Sequence, residues 1–91
     1  MKKIAILGST GSIGLTTLKI INLKKKQFKI ELLAASTNSI EISKQIHKYK
    51  PKYYIISDEK TYLKIKKKFK NHKKIIKNNY ENISIKKKYL D

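Results

Sequence analysis

Residues 4–16 read IAILGSTGSIGLT, an apolar run that closes on three glycines spaced three apart. Gly8, Gly11 and Gly14 are the whole glycine content of a 91-residue chain. Glycine weakens helix and strand interiors, so its concentration at one junction marks a local backbone demand. Residues 3–8 (KIAILG) are short, β-rich and closed by glycine, as a buried strand is. From Gly11 to about Lys24 the apolar positions Ile13, Leu18, Ile20 and Ile21 span too much chain for one strand and fit a helix.

The glycines therefore fall in a strand-to-helix turn. A helix N-terminus offers unpaired N–H groups and a partial positive charge to an anion. In this arrangement Gly8 lets the chain turn out of the strand, Gly11 permits close approach to a pyrophosphate, and Gly14 lets helix and sheet pack tightly. Thr10 and Ser12 add hydroxyl donors. The spacing G-x-x-G-x-x-G is a variant of the dinucleotide-binding signature. No Gly-Lys-Ser or Gly-Lys-Thr occurs, so it is not a phosphate loop of the G-x-x-x-x-G-K-[ST] kind. A tight turn serving packing alone is the alternative; the position between strand and helix favours nucleotide binding.

Outward from the turn, FKIELLAAS (28–36) predicts a second strand. SIEISKQIHKYK (39–50) sets Ile42, Ile46 and Tyr49 on one helical face, and Pro51 stops that helix. YYIIS (53–57) predicts a third strand. Asp58 and Glu59 suit the start of a helix running to about Lys70, with Tyr62, Ile65 and Phe69 inward. Beyond it, KIIK (74–77) fits a fourth short strand and residues 80–90 a helix. The order β-α-β-α-β-α implies parallel pairing through right-handed crossovers. The expected fold is α/β: a Rossmann-like parallel sheet with helices on both faces, incomplete, and occupying residues 1–91 as a single unit.

Composition limits the function classes. A hydrophobic fraction of 40% suits a globular chain rather than a disordered one. No apolar run approaches the roughly 18 residues that span a bilayer. The apolar stretch after MKK ends at Leu7, short of a secretory signal of about 7 to 15 residues. A cytoplasmic location without a membrane partner is the expectation. The absence of cysteine excludes disulfides, thiolate metal sites and cysteine nucleophiles. The net charge of +17 would by itself suggest a polyanion partner. All 23 basic residues are lysine, however, and arginine is the residue that forks onto phosphates and guanine edges. The triplets at 24–26, 66–68 and 86–88 fall near helix ends or on outer faces, which reads as solvated surface and not as a nucleic-acid site.

The end of the second strand bears on the cofactor. NAD-binding sheets place a carboxylate there for the ribose 2′-hydroxyl; here Ser36, Thr37 and Asn38 occupy that place. No carboxylate repels a 2′-phosphate and three polar side chains can bond one, so NADPH is expected. A lysine near this edge would assist, and the sequence leaves its identity open. Asn38 and Glu41 also form an N-x-x-E capping box for the next helix.

ILGSTGSIGLTTL, followed by AASTN and then KPKYYIISDE, resembles the N-terminus of the 1-deoxy-D-xylulose 5-phosphate reductoisomerase family. GSTGSIG is a distinctive form of the turn; the Thr17-Leu18 pair and the Pro-Lys-Tyr segment also match. The resemblance is strong to about residue 60 and thin beyond 70. It implies Thr10, Gly11, Ser12 and Ile13 as pyrophosphate and adenosine contacts of NADPH, and Ser36, Thr37 and Asn38 as 2′-phosphate contacts. A glycine followed by a basic residue is common at the first two of those last positions, and Ser36 and Thr37 depart from that.

The same resemblance implies the reaction of a longer, homodimeric enzyme. A divalent metal (Mg, Mn or Co) assists rearrangement of a phosphosugar, 1-deoxy-D-xylulose 5-phosphate. Hydride from NADPH then yields 2-C-methyl-D-erythritol 4-phosphate for isoprenoid synthesis. The metal ligands and substrate contacts of such an enzyme lie downstream, so this chain is expected to carry cofactor contacts but no catalytic or metal-ligating residue. His47 and His72 read as surface positions. Another Rossmann oxidoreductase, of semialdehyde dehydrogenase or extended short-chain reductase type, and a basic nucleotide- or nucleic-acid-binding module are the competing readings. Ser12-Ile13-Gly14 together with AASTN favours the reductoisomerase.

Overall fold

The computed structural model describes residues 2–70 and 76–77. Along them run β1 (Lys2–Leu7), α1 (Ser12–Leu23), β2 (Phe28–Ala35), α2 (Ser39–Tyr49), β3 (Tyr53–Ile56), α3 (Glu59–Lys68) and β4 (Ile76–Lys77). The strands form one parallel sheet in the order β1-β2-β3-β4. This is the alternating α/β order the sequence predicts, and the KIIK strand is present at 76–77. The helix expected over 80–90 and the loop position of His72 lie outside the described residues.

Strand order determines where the helices sit. A helix joining parallel neighbours crosses over right-handedly, and here every crossover advances in the same direction. Such crossovers put all three helices on one face. Ile6, Leu33 and Tyr54 are register partners across β1, β2 and β3 and so point to one side of the sheet. They form the main core with Leu18 and Ile21 of α1, Ile42 and Ile46 of α2, and Ile65 of α3, joined by Ile56 and Phe69. The opposite face carries a smaller cluster of Leu32, Ala34 and Ile55, packed with Ala5 and Tyr53 and with no residue of the three described helices. Within the described residues, then, the expectation of helices on both faces is met on one.

Local signals explain the element boundaries. Gly11 precedes α1 with extended backbone, and no side chain caps that helix. Asn38 caps α2, its Oδ1 accepting from the Glu41 N–H at 3.1 Å. The return half of the expected capping box is replaced: the Glu41 carboxylate turns along the helix and accepts from Gln45 Nε2 at 3.4 Å. Helix α2 ends at Lys50 in the left-handed region (φ 45°), immediately before Pro51. Asp58 caps α3, accepting from the Thr61 N–H at 3.0 Å and the Thr61 hydroxyl at 2.7 Å. Lys66, Lys67 and Lys68 occupy its last turn, where cations offset the helix dipole.

Between Ile4 and Ala5 the register of β1 against β2 shifts, which leaves Glu31 unmatched. Its carboxylate is buried, with Lys52 Nζ 3.8 Å away.

Candidate functional site

The first three strands end in residues that gather at one edge of the sheet: Gly8 after β1, Ser36 after β2 and Ser57 after β3. Backbone bonds hold these ends in step, Ser9 N–H donating to Ala34 O (2.9 Å) and Ser57 N–H to Ala35 O (3.1 Å). The carboxyl edge of a parallel sheet is where α/β folds bind ligands.

Each glycine of the turn has a different physical reason. Gly8 has φ +70°, a conformation that strains any side-chain-bearing residue, with open space around it. A Cβ on Gly14 would press on the Gly8 carbonyl oxygen and stand 2.7 Å from Ser9 Cα. Gly14 thus permits packing of helix against turn, a closer neighbour than the sheet anticipated from sequence. A Cβ on Gly11 would meet only Gly8 O, at an ordinary 3.5 Å. Nothing inside the protein demands glycine at that position, and it faces outward.

The start of α1 differs electrostatically from the other two helix starts. Helices α2 and α3 have capping side chains and an acidic residue in the first turn (Glu41, Glu59); α1 has neither. Its first N–H groups and positive dipole end therefore face solvent unopposed. Beside them lies an open groove of about 710 Å³ along β1 (residues 4–7), lined also by Gly8, Gly11, Ser12, Ile13, Gly14 and Thr17. A second hollow of about 230 Å³ is formed by Gly8, Ala34, Ala35, Ser36, Ile55 and Ser57. The two share Gly8. A cavity of about 280 Å³ at the far end of the sheet, among Lys25, Lys29, Lys48 and Lys50, shares no residue with either.

Of the residues singled out from sequence, Gly11, Ser12 and Ile13 line the groove and Ser36 lines the hollow. Thr10 is half-buried in the turn, and Thr37 and Asn38 are exposed just beyond β2; these three line neither space. Asn38 Oδ1 is committed to its cap, which leaves its amide group free to face a ligand. A lysine does stand beside this edge: Lys64 Nζ of α3 donates to Ser39 Oγ at 3.4 Å, one residue past Asn38. Ser57 is a further edge residue that the sequence reading passed over. His47 is exposed and tilted against the Phe69 ring, centroids 5.1 Å apart.

Beneath the turn lies a buried polar cluster that the sequence reading did not foresee. Gln45 Oε1 accepts from Ser9 Oγ (2.7 Å) and from the Tyr54 hydroxyl (2.7 Å), and Gln45 Nε2 donates to the Ser9 carbonyl (2.9 Å). Ser9 Oγ and the Tyr54 hydroxyl are themselves 2.9 Å apart. Burial pushes the Tyr54 phenol well above the ordinary tyrosine range against the opposing pull of the Ser9 bond, so it stays a neutral donor. One signal was available: Gln45 interrupts the apolar stripe of Ile42, Ile46 and Tyr49, and a buried glutamine needs partners.

Residues 4–88 match the family model for 1-deoxy-D-xylulose 5-phosphate reductoisomerase. The chain is 44% identical over 84 residues to the protein of that name from Pelagibacter ubique (strain HTCC1062), covering 92% of this chain and 22% of that relative. It is 44% identical over 61 residues to the one from Proteus mirabilis (strain HI4320), covering 67% of this chain and 15% of the relative. Its fold is similar to a DOX-P reductoisomerase crystallised with NADPH, fosmidomycin and magnesium, with a TM-score of 0.79 and 26% identity. That likeness covers 90% of this chain and 20% of the crystallised one. The chain spans 15–22% of the length of the curated relatives named here.

Proposed function

The chain belongs to the 1-deoxy-D-xylulose 5-phosphate reductoisomerase family, and from that premise we propose that it holds NADPH across the carboxyl edge of its sheet. The observation that carries this reading is the start of α1: an uncapped helix with no acidic residue in its first turn, opening through Gly11 onto free space. Those residues suit a pyrophosphate. In this reading the N–H groups of Ser12 and Ile13 bind it, Gly11 lets it approach them closely, Thr10 adds its hydroxyl, and Ile13 lies against the adenosine. Ser36, Thr37 and Asn38 bond the 2′-phosphate, with Lys64 as the nearby cation. When bound, NADPH would supply hydride; the chain's own part is to orient it.

Residues 1–91 would then form the N-terminal part of an NADP-binding domain in a longer protein. The metal-dependent rearrangement, the phosphosugar substrate, dimerisation and cytoplasmic location belong to that longer protein. Among the described residues no group of three or more His, Cys, Asp or Glu side chains is placed to hold a metal ion.

Titration of the 91-residue chain with NADPH and with NADH, followed by nicotinamide fluorescence, tests the reading. Weak binding that favours NADPH is expected, without turnover of substrate. Thr37→Asp should lower NADPH affinity by about tenfold, since one carboxylate beside a phosphate costs on the order of 1 kcal/mol or more near a protein surface. Equal affinity for both nucleotides, or tighter NADPH binding by Thr37→Asp, would sink the 2′-phosphate assignment.

A further inference from the structure

We propose that the buried Ser9–Gln45–Tyr54 cluster sets the geometry of the glycine turn, which makes Gln45 and Tyr54 positioning residues for NADPH although they sit beneath the turn. The inference deepens the NADPH reading and rests on it.

Gln45 grips Ser9 at two points. Its Oε1 accepts from the Ser9 side chain and its Nε2 donates to the Ser9 main-chain carbonyl, at 2.7 and 2.9 Å. The second contact fixes the orientation of a peptide plane. A trans peptide is planar with its C=O and N–H on opposite sides. Holding the Ser9 carbonyl toward the core therefore turns the Thr10 N–H away from it, toward the outer side of the turn. Among the described residues that N–H donates to no backbone partner. Gly11 N–H, by contrast, is spent on Gly8 O at 3.1 Å. The amide that the cluster aims is thus one still open to a ligand.

Gln45 is itself held from both ends. Its Nε2 faces two acceptors, the Ser9 carbonyl and the Glu41 carboxylate, which fixes the amide the right way round. Its Oε1, Ser9 Oγ and the Tyr54 hydroxyl make three close oxygen contacts, yet two hydroxyl protons serve them. Tyr54 can therefore donate to Gln45 or to Ser9, and in either state it keeps the third oxygen in place. Ser9, Gln45 and Tyr54 are each no more than 1% exposed, so water offers no substitute partner. The cluster ties the turn to α2, which begins directly after Ser36–Asn38, and to β3, the strand paired with β2.

The variants Gln45→Leu and Tyr54→Phe test this in the 91-residue chain, read by NADPH affinity and by the ¹H–¹⁵N resonances of residues 8–12. Gln45→Leu frees the Ser9 carbonyl, so affinity should fall about tenfold, as expected for two lost bonds, and the turn resonances should move while those of α3 stay. Tyr54→Phe keeps the packing and the Gln45–Ser9 bonds; its effect should go the same way and be about threefold. This milder variant decides the matter if Gln45→Leu fails to fold. Unmoved turn resonances, or affinity unchanged in a folded variant, would overturn the proposal. A wild-type chain that binds no NADPH would overturn the cofactor reading alone, and control of the turn would still be read from the resonances.

Discussion

A Cβ at Gly14 would stand 2.7 Å from Ser9 Cα, whereas one at Gly11 would meet nothing nearer than 3.5 Å. Substitution therefore separates packing from binding. Gly14→Ala forces the turn and helix apart and should cost about 1–3 kcal/mol, the range of overpacked cores, as measured by urea unfolding. Gly11→Ala should stay within about 1 kcal/mol of wild type, yet bind NADPH markedly less well because the methyl group stands over the open N–H groups. A Gly11→Ala chain with wild-type affinity would remove Gly11 from the site. The spacing of the glycines was legible because turn geometry is a property of consecutive residues. Ser9 was not, since its partners Gln45 and Tyr54 lie 36 and 45 positions away. Its burial comes from the assembled sheet and helix.

Helix starts carry a prediction in pH. The hydroxyl of Thr61, then its N–H, hold the Asp58 carboxyl below the ordinary carboxylate range. A carboxylate with a depressed folded-state pKa stabilises fully above its unfolded pKa of about 3.9 and loses that contribution as pH falls through the lower folded value. The thermal midpoint should therefore drop over that acid window, and the part of the drop due to Asp58 should be missing in Asp58→Asn, which cannot titrate. A drop of equal size in the variant would show that other groups cause it. Element types and most inward faces were legible here: Ile42, Ile46 and Ile65 are buried as their spacing requires. Helix α1 was less so. Leu18 and Ile21 are buried, but Ile13 is 83% and Ile20 53% exposed. An apolar residue on a helix states only that it prefers cover; which side receives cover depends on the neighbouring elements.

At the scale of the molecule, charge and sheet edge dominate. A net charge of +17 on 91 residues produces self-repulsion in the compact state that salt screens. The thermal midpoint should rise between about 0.05 and 0.5 M salt, over which the Debye length falls from roughly 14 to 4 Å. A midpoint that falls with salt would mean that favourable charge pairs outweigh the repulsion. The sheet extends in one direction from β1, whose outer edge is unpaired among the described residues. That edge borders the groove beside the glycine turn, which Leu7 and Ile13 line with exposed apolar side chains. A strand edge of this kind accepts another strand.

Short-range order is where the chain is explicit about itself. The alternation of strands and helices, their caps at Asn38 and Asp58, the stop at Pro51 and the glycine turn all follow from residues within about four positions of one another, the reach of backbone hydrogen bonding and capping. The placement of all three helices on one face and the gathering of Gly8, Ser36 and Ser57 at one edge arise only when the strands pair. So do the approach of Lys64 to Ser39 and the burial of Ser9 against Gln45 and Tyr54. Those relations join positions 21 to 49 residues apart, and only strand register and helix packing bring them within bonding distance.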